Sequence, residues 1–196
     1  MRYLQLVVIP LISLSLAGCS ILFGNIRPVV EKAGHYEVFD PTLENDEWVA
    51  MPNDNPAGAD SSDDTGQSDL AFQSKANGSI MSLNTACRPS LNWDAQVSAE
   101  NRESENQRQL KIFTQQLLMG IRPSEKPGEK FISVSDQPAL ETTLSGTLAG
   151  SPTRVRTVVV RKGDCIYDLM YVSKPQVFDA NEPLFSRFVA SLKMHR

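Results

Sequence analysis

Three kinds of side chain in this 196-residue chain could carry covalent or acid–base chemistry. They are the thiols of Cys19, Cys87 and Cys165, the imidazoles of His35 and His195, and Asp168, a carboxylate set inside an apolar run. Hydrolysis needs a nucleophile, a base and an orienting group that converge. The two histidines stand near opposite ends of the chain, and neither a G-x-S-x-G nor an H-E-x-x-H pattern occurs. Both are expected to be exposed and structural. Gly146-Thr147-Leu148-Ala149-Gly150-Ser151 contains glycines but lacks the Lys-Ser/Thr of a phosphate loop, and reads as a turn between strands. Cys87 and Cys165 have no CxxC spacing and no nearby histidine, so no metal site is expected there. The aspartates of residues 52–69 lack the spacing of a calcium loop. The expectation is a protein that is not an enzyme, with no catalytic residues, no metal ligands and no cofactor.

Cys19 is the thiol whose surroundings specify a reaction. Met1-Arg2-Tyr3 is followed by an apolar run from Leu4 to Leu16, broken by Gln5, Pro10, Ser13 and Ser15. One positive charge, a short apolar core and small closing residues make a secretory signal. The run is too short and too interrupted for a membrane-spanning helix, which needs about 20 apolar residues. It closes with Leu16-Ala17-Gly18-Cys19, which resembles the bacterial lipobox. The resemblance implies cleavage after Gly18, which small side chains permit, and a diacylglyceryl group on the Cys19 sulfur. It also implies, through Ser20 in place of an aspartate, sorting to the outer membrane facing the periplasm. Removing residues 1–18 from the 196 leaves 178, enough for one domain and a tether. Arg2 is the one charge lost, so 19 basic side chains become 18 against 23 acidic, net −5. That balance disfavours nucleic acid as a partner. With Cys19 acylated, Cys87 and Cys165 remain. In an oxidising envelope they either form a disulfide or stay buried as two small hydrophobes, and the sequence leaves both open.

The elements that must position these residues are read from periodicity. Residues 19–35 form a tether and 36–196 a single domain. His35-Tyr36-Glu37-Val38-Phe39-Asp40 alternates as a short strand that Pro41 ends, and Trp48 is a core anchor. Residues 52–69, rich in Pro, Gly, Ser, Asn and Asp, read as a disordered acidic loop. Asn77-Gly78 between two β-leaning runs marks a hairpin. Residues 95–119 read as a long helix whose apolar positions are Leu110, Phe113, Leu117 and Leu118, with Gly120 as its stop. Its first half, 98–109, is almost wholly polar and is either an exposed extension or frayed. Residues 122–130 read as a charged loop. Three strands follow, at about 138–148, 153–161 and 165–173, the last two joined by Lys162-Gly163-Asp164. Val158-Val159-Val160 and Leu169-Met170-Tyr171-Val172 are apolar on both faces, which implies a layer on each side of the sheet. A closing helix begins at Pro183, with Leu184, Phe185, Phe188, Val189 and Leu192 as its stripe.

This order of Trp48, hairpin, long helix and antiparallel run resembles the PsbP-like α/β/α sandwich. The run closes with Cys165-Ile166-Tyr167-Asp168-Leu169-Met170-Tyr171 and then Phe185-x-x-Phe188-Val189-x-Ser191-Leu192. The resemblance spans roughly residues 36–193 and implies an α+β fold, a central antiparallel sheet flanked by helices on both faces. It implies a domain that binds and stabilises other proteins at membranes, and it carries no catalytic residue. The expected function is therefore a lipid-anchored envelope module that binds or assembles a protein complex. A carrier or sensor of a small apolar ligand or lipid is the alternative.

Two charged features remain. With Lys162–Asp164 as the turn, Asp168 faces Val158 and has Arg156 diagonally beside it, so a buried Asp168–Arg156 pair is expected. Arg154, Arg156, Arg161 and Lys162, with Arg122, Lys126 and Lys130, form a basic set. It reads as a solvated face, with an acidic partner or lipid head groups as its alternative occupants.

Overall fold

The computed structural model describes residues 36–44, 46–51, 70–87, 101–163 and 165–195. Cys19, His35, the lipobox and the 52–69 segment lie outside them. The sheet contains β2 (Trp48–Ala50), β3 (Leu70–Ser74), β4 (Ile80–Cys87), β5 (Ile121–Pro123), β6 (Gly128–Val134), β7 (Gln137–Leu148), β8 (Ser151–Lys162) and β9 (Cys165–Ser173). Its order is β2-β3-β4-β9-β8-β7-β5, with β6 pairing β7 beside β5, and every pairing is antiparallel. β1 (Tyr36–Glu37) pairs β10 (Lys193–Met194) in a separate two-stranded ribbon. The helices are α1 (Arg102–Leu117) and α2 (Phe178–Ser191).

Successive strand residues point to opposite faces. On one face Val158, Val160, Tyr167, Leu169 and Tyr171 meet Phe178, Phe185 and Phe188 of α2 in the largest apolar cluster. On the other, Leu140 and Val159 meet Leu110, and Leu144, Val155 and Met170 meet Leu118 after α1. The molecule is thus α+β, an antiparallel sheet with a helix on each face. The apolar runs of β8 and β9 serve both layers.

Tight turns hold the long strands in register. Leu148 pairs Ser151, so Ala149 and Gly150 alone make the β7–β8 turn, with φ +48° and +83°. Positive φ at both central residues gives the twist that a two-residue hairpin needs. Gly146 lies in β7, not in the turn that the sequence suggested, and a Cβ there would meet the Arg122 carbonyl oxygen at 2.3 Å. Only a glycine lets β5 approach so closely.

Four expectations are corrected. Lys162 pairs Cys165, so the β8–β9 turn holds two residues rather than three. That single step turns Asp168 onto the α1 face, opposite Val159, away from Arg156. The supposed loop at 122–130 contains the end of β5 and the start of β6. The closing helix begins at Phe178, a turn earlier than Pro183, which lies inside it. The hairpin marked by Asn77-Gly78 is present, with β3 and β4 paired antiparallel and joined through residues 75–79. Ser74 accepts from the Gly78 N–H at 2.9 Å, and Asn77 Oδ1 accepts from the Ser79 N–H.

Candidate functional site

The basic residues singled out in the sequence separate into those engaged in the fold and those left at the surface. Arg156 is the most engaged. Its Nη2 donates to Glu141 Oε2 at 2.6 Å, and its Nη1 donates to Glu182 and to Ser186 Oγ. The guanidinium also lies 5.5 Å from the Phe185 ring centroid. One side chain therefore joins β7, β8 and α2 by charge-assisted hydrogen bonds. Arg154 lies over the Phe178 ring at 4.4 Å and reaches Asp179 at 3.3 Å. Lys162 donates to the Met194 carbonyl at 2.6 Å, and Arg161 donates to the Gly163 carbonyl at 3.0 Å. These four are structural fastenings before they are a binding face.

Arg122, Lys126 and Lys130 are exposed. Arg122 pairs Thr147 and Lys130 pairs Glu141, so both stand on the α2 face of the β5–β6 wing. Thr143, Ser145 and Thr147 of β7 are half-buried on the same face. The fold divides the seven basic residues and sets only Arg122 and Lys130 on the same face as the half-buried hydroxyls of β7.

Asp168 is buried and accepts from Asn84 Nδ2 at 2.8 Å, its partner residue across β4–β9. Nothing in the sequence separated by 84 positions marks that pair. Cys165 is disulfide-bonded, and Cys87 is the residue facing it across the same two strands. His195 lies 3.4 Å from Glu37 beside the terminal ribbon. No group of three or more His, Cys, Asp or Glu able to hold a metal occurs among the described residues.

The entry of the chain into the domain is closely fastened. Beyond the β1–β10 pairing, the Phe39 N–H donates to Ser191 Oγ at 2.8 Å. Arg187 donates twice to the Glu44 carboxylate, at 2.6 Å each, and lies over the Phe39 ring. The first described residues are thereby strapped along α2. On the opposite face, Leu110, Thr114 and Leu118 fill the space between α1 and the sheet. At the N-terminal end of α1, a groove of about 390 Å³ is lined by polar residues including Arg102, Asn106, Gln137 and Arg161. On the exposed side of α1, hydrogen bonds from Arg108 and then Gln109 hold the Glu105 carboxyl down to about 2. Among the described residues no helix is long and apolar enough to cross a membrane.

No protein-family model matches the chain, and no curated protein matches it in sequence. Solved structures resemble it in layout. One is cyanobacterial PsbP from Synechocystis, 11% identical at a TM-score of 0.46, covering 82% of this chain and 93% of that one. A second is LpqN, involved in cell envelope biogenesis of Mycobacterium tuberculosis, 12% identical at 0.47, covering 85% and 88%. A third is the Pseudomonas aeruginosa protein PA94, described as a putative regulator, 16% identical at 0.45, covering 83% and 99%.

Proposed function

We propose that this protein is a lipid-anchored envelope module that binds or assembles a protein complex and carries out no chemistry of its own. The observation that carries the reading is Leu16-Ala17-Gly18-Cys19 at the end of a signal-like run. Acylated Cys19 is the membrane anchor, and Ser20 sorts it to the outer membrane, with the domain in the periplasm. Lipid contributes about 0.8 kcal/mol per buried CH₂, so several chains on one residue hold the protein at the bilayer.

What supports the reading in the fold is how the first described residues are fastened. Cys19 and Tyr36 are 17 positions apart. Fully extended, a stretch of that length reaches at most about 55–60 Å. Traction along it falls on the β1–β10 pairing, the Phe39–Ser191 bond and the Arg187–Glu44 pair. A domain strapped at its entry can be held within that reach of the bilayer without unravelling.

The test is proximity labelling of native membranes by the full chain carrying a labelling enzyme at its C-terminus, beside the Cys19→Ala variant. The reading expects a discrete set of envelope proteins labelled by the anchored chain and lost in the variant. Labelling that is indistinguishable between the two counts against it.

A further inference from the structure

β6 ends the sheet. It pairs β7 along its whole length, and among the described residues nothing pairs with its outer side. Gly128, Glu129, Lys130, Phe131 and Ser133 are exposed. Phe131 pairs Leu140 and so stands on the α1 face, 39% exposed, with Lys111 Nζ 5.8 Å from its ring centroid. The 52–69 segment joins β2 to β3 at the opposite edge of the sheet, and 88–100 joins β4 to α1.

The hairpin decides which backbone groups β6 turns outward. Val134 and Gln137 close a two-residue turn at Ser135 and Asp136, whose φ are +47° and +61°. The pair flanking such a turn exchanges hydrogen bonds, and bonded pairs alternate along the ladder from there. Val134, Ile132, Lys130 and Gly128 therefore direct their N–H and C=O toward β7. Glu129, Phe131 and Ser133 turn theirs outward. An edge of this kind is a template for one more strand.

β6 is its own complement. A twofold axis normal to the sheet keeps each side chain on its own face, so an antiparallel pair of β6 strands must be centred on a residue. Centred on Glu129 or Lys130, a charge faces its own copy, which is destabilising. Centres beyond Phe131 leave part of the strand unpaired. Centred on Phe131, all seven residues pair, with Gly128 opposite Val134 at the ends. Phe131 then meets its counterpart as an aromatic cross-strand pair. Glu129 lies opposite Ser133, so every outward N–H and C=O finds a partner. The same register brings the exposed Lys126 of one copy level with the exposed Asp136 of the other. α1 packs over Leu140 and Val159, between β7 and β8. Strands about 4.8 Å apart set the two α1 helices about 19 Å apart across the axis, which clears their diameter of about 10 Å.

We propose that β6 joins two copies of this protein edge to edge, in one continuous antiparallel sheet with its twofold axis at Phe131. A single strand pairing is a small contact. On the anchor reading, confinement of both copies to one membrane raises their effective concentration and favours it. The register itself rests on β6 alone.

Cysteine cross-linking of the full chain in intact cells tests the pairing, scored as covalent dimer on gels without reductant. Glu129→Cys and Ser133→Cys are expressed together on differently tagged copies. Opposite residues of a bonded pair lie about 5.5 Å apart at Cα, within disulfide reach. Each residue is about 13 Å from its own counterpart, outside that reach. The expected result is a mixed dimer, and none from either variant expressed alone. Ala50→Cys, on the opposite edge, should give none. Phe131→Glu in both copies sets a like charge against itself and should abolish the mixed dimer, whereas Phe131→Tyr should keep it. Absence of the mixed dimer, equal dimer from either variant alone, or a mixed dimer that survives Phe131→Glu would overturn the proposal. The links are scored wherever the chain resides, so their failure is distinct from failure of the anchor.

Discussion

Replacing Arg156 with methionine tests whether one guanidinium holds α2 to the sheet. Methionine keeps an unbranched apolar stem over Phe185 and removes the charge. Arg156 is 13% exposed, Glu141 19% and Glu182 39%. Orphaning a fully buried partner costs about 3–5 kcal/mol, but these carboxylates are only partly buried, so water recovers much of that. Glu182, more than a third exposed, is discounted to little. Glu141 then dominates, and with the lost charge-assisted bonds the cost comes to about 2–3 kcal/mol. For a domain of this size that lowers Tm by about 5–10 °C. The assay is thermal unfolding followed by circular dichroism. Adding Glu141→Gln removes the orphaned charge, so Arg156→Met with Glu141→Gln should melt above Arg156→Met alone. A Tm shift below about 1 °C, or a double variant no better than the single, would refute the reasoning.

Other perturbations follow from the same geometry. Gly146→Ala drives a Cβ against the Arg122 carbonyl, so β5 must shift; thermal unfolding should show a loss of at least about 1–3 kcal/mol. Ala149→Gly relieves a left-handed alanine at φ +48° and should raise stability by up to about 1 kcal/mol in denaturant titration. Asp168→Ala removes the buried carboxylate that the half-buried Asn84 amide bonds and should lower Tm by a few degrees, with a cost of about 1–2 kcal/mol; an unchanged melt would argue against that pair. Peptide mapping without reductant should recover Cys87 joined to Cys165. Closing a loop of nearly 80 residues constrains the unfolded chain by up to about 4.5 kcal/mol, so reduction should lower the denaturation midpoint markedly.

The sequence made the layering legible because β8 and β9 are apolar at consecutive positions, and such strands need cover on both faces. The three long strands and the aromatic stripe of α2 were readable for the same reason. β6 was not. Its residues are mostly exposed, so Gly128-Glu129-Lys130 carries loop chemistry although β7 pairs with it throughout. Asp168 was placed on the wrong face by one residue of turn length, which alternation along β9 cannot reveal when both faces are apolar. Pro183 reads as a helix start because proline favours first turns, while Pro175 actually opens the preceding 3₁₀ turn. The pairing of Thr142 with Thr157 has no sequence signal, since both read as ordinary strand residues until register sets them side by side. The same holds for Arg156, whose partners lie 15, 26 and 30 positions away.

The anchor is the claim on which the functional account depends, and Cys19 decides it. The direct measurement is membrane fractionation of the full chain and of Cys19→Ala, with mass spectrometry of the mature N-terminal peptide. The account predicts a wild-type chain in the membrane fraction, beginning at Cys19 with its sulfur acylated, and a variant released from membranes. A Cys19→Ala variant that stays in the membrane fraction, or a wild-type Cys19 without lipid, would contradict it.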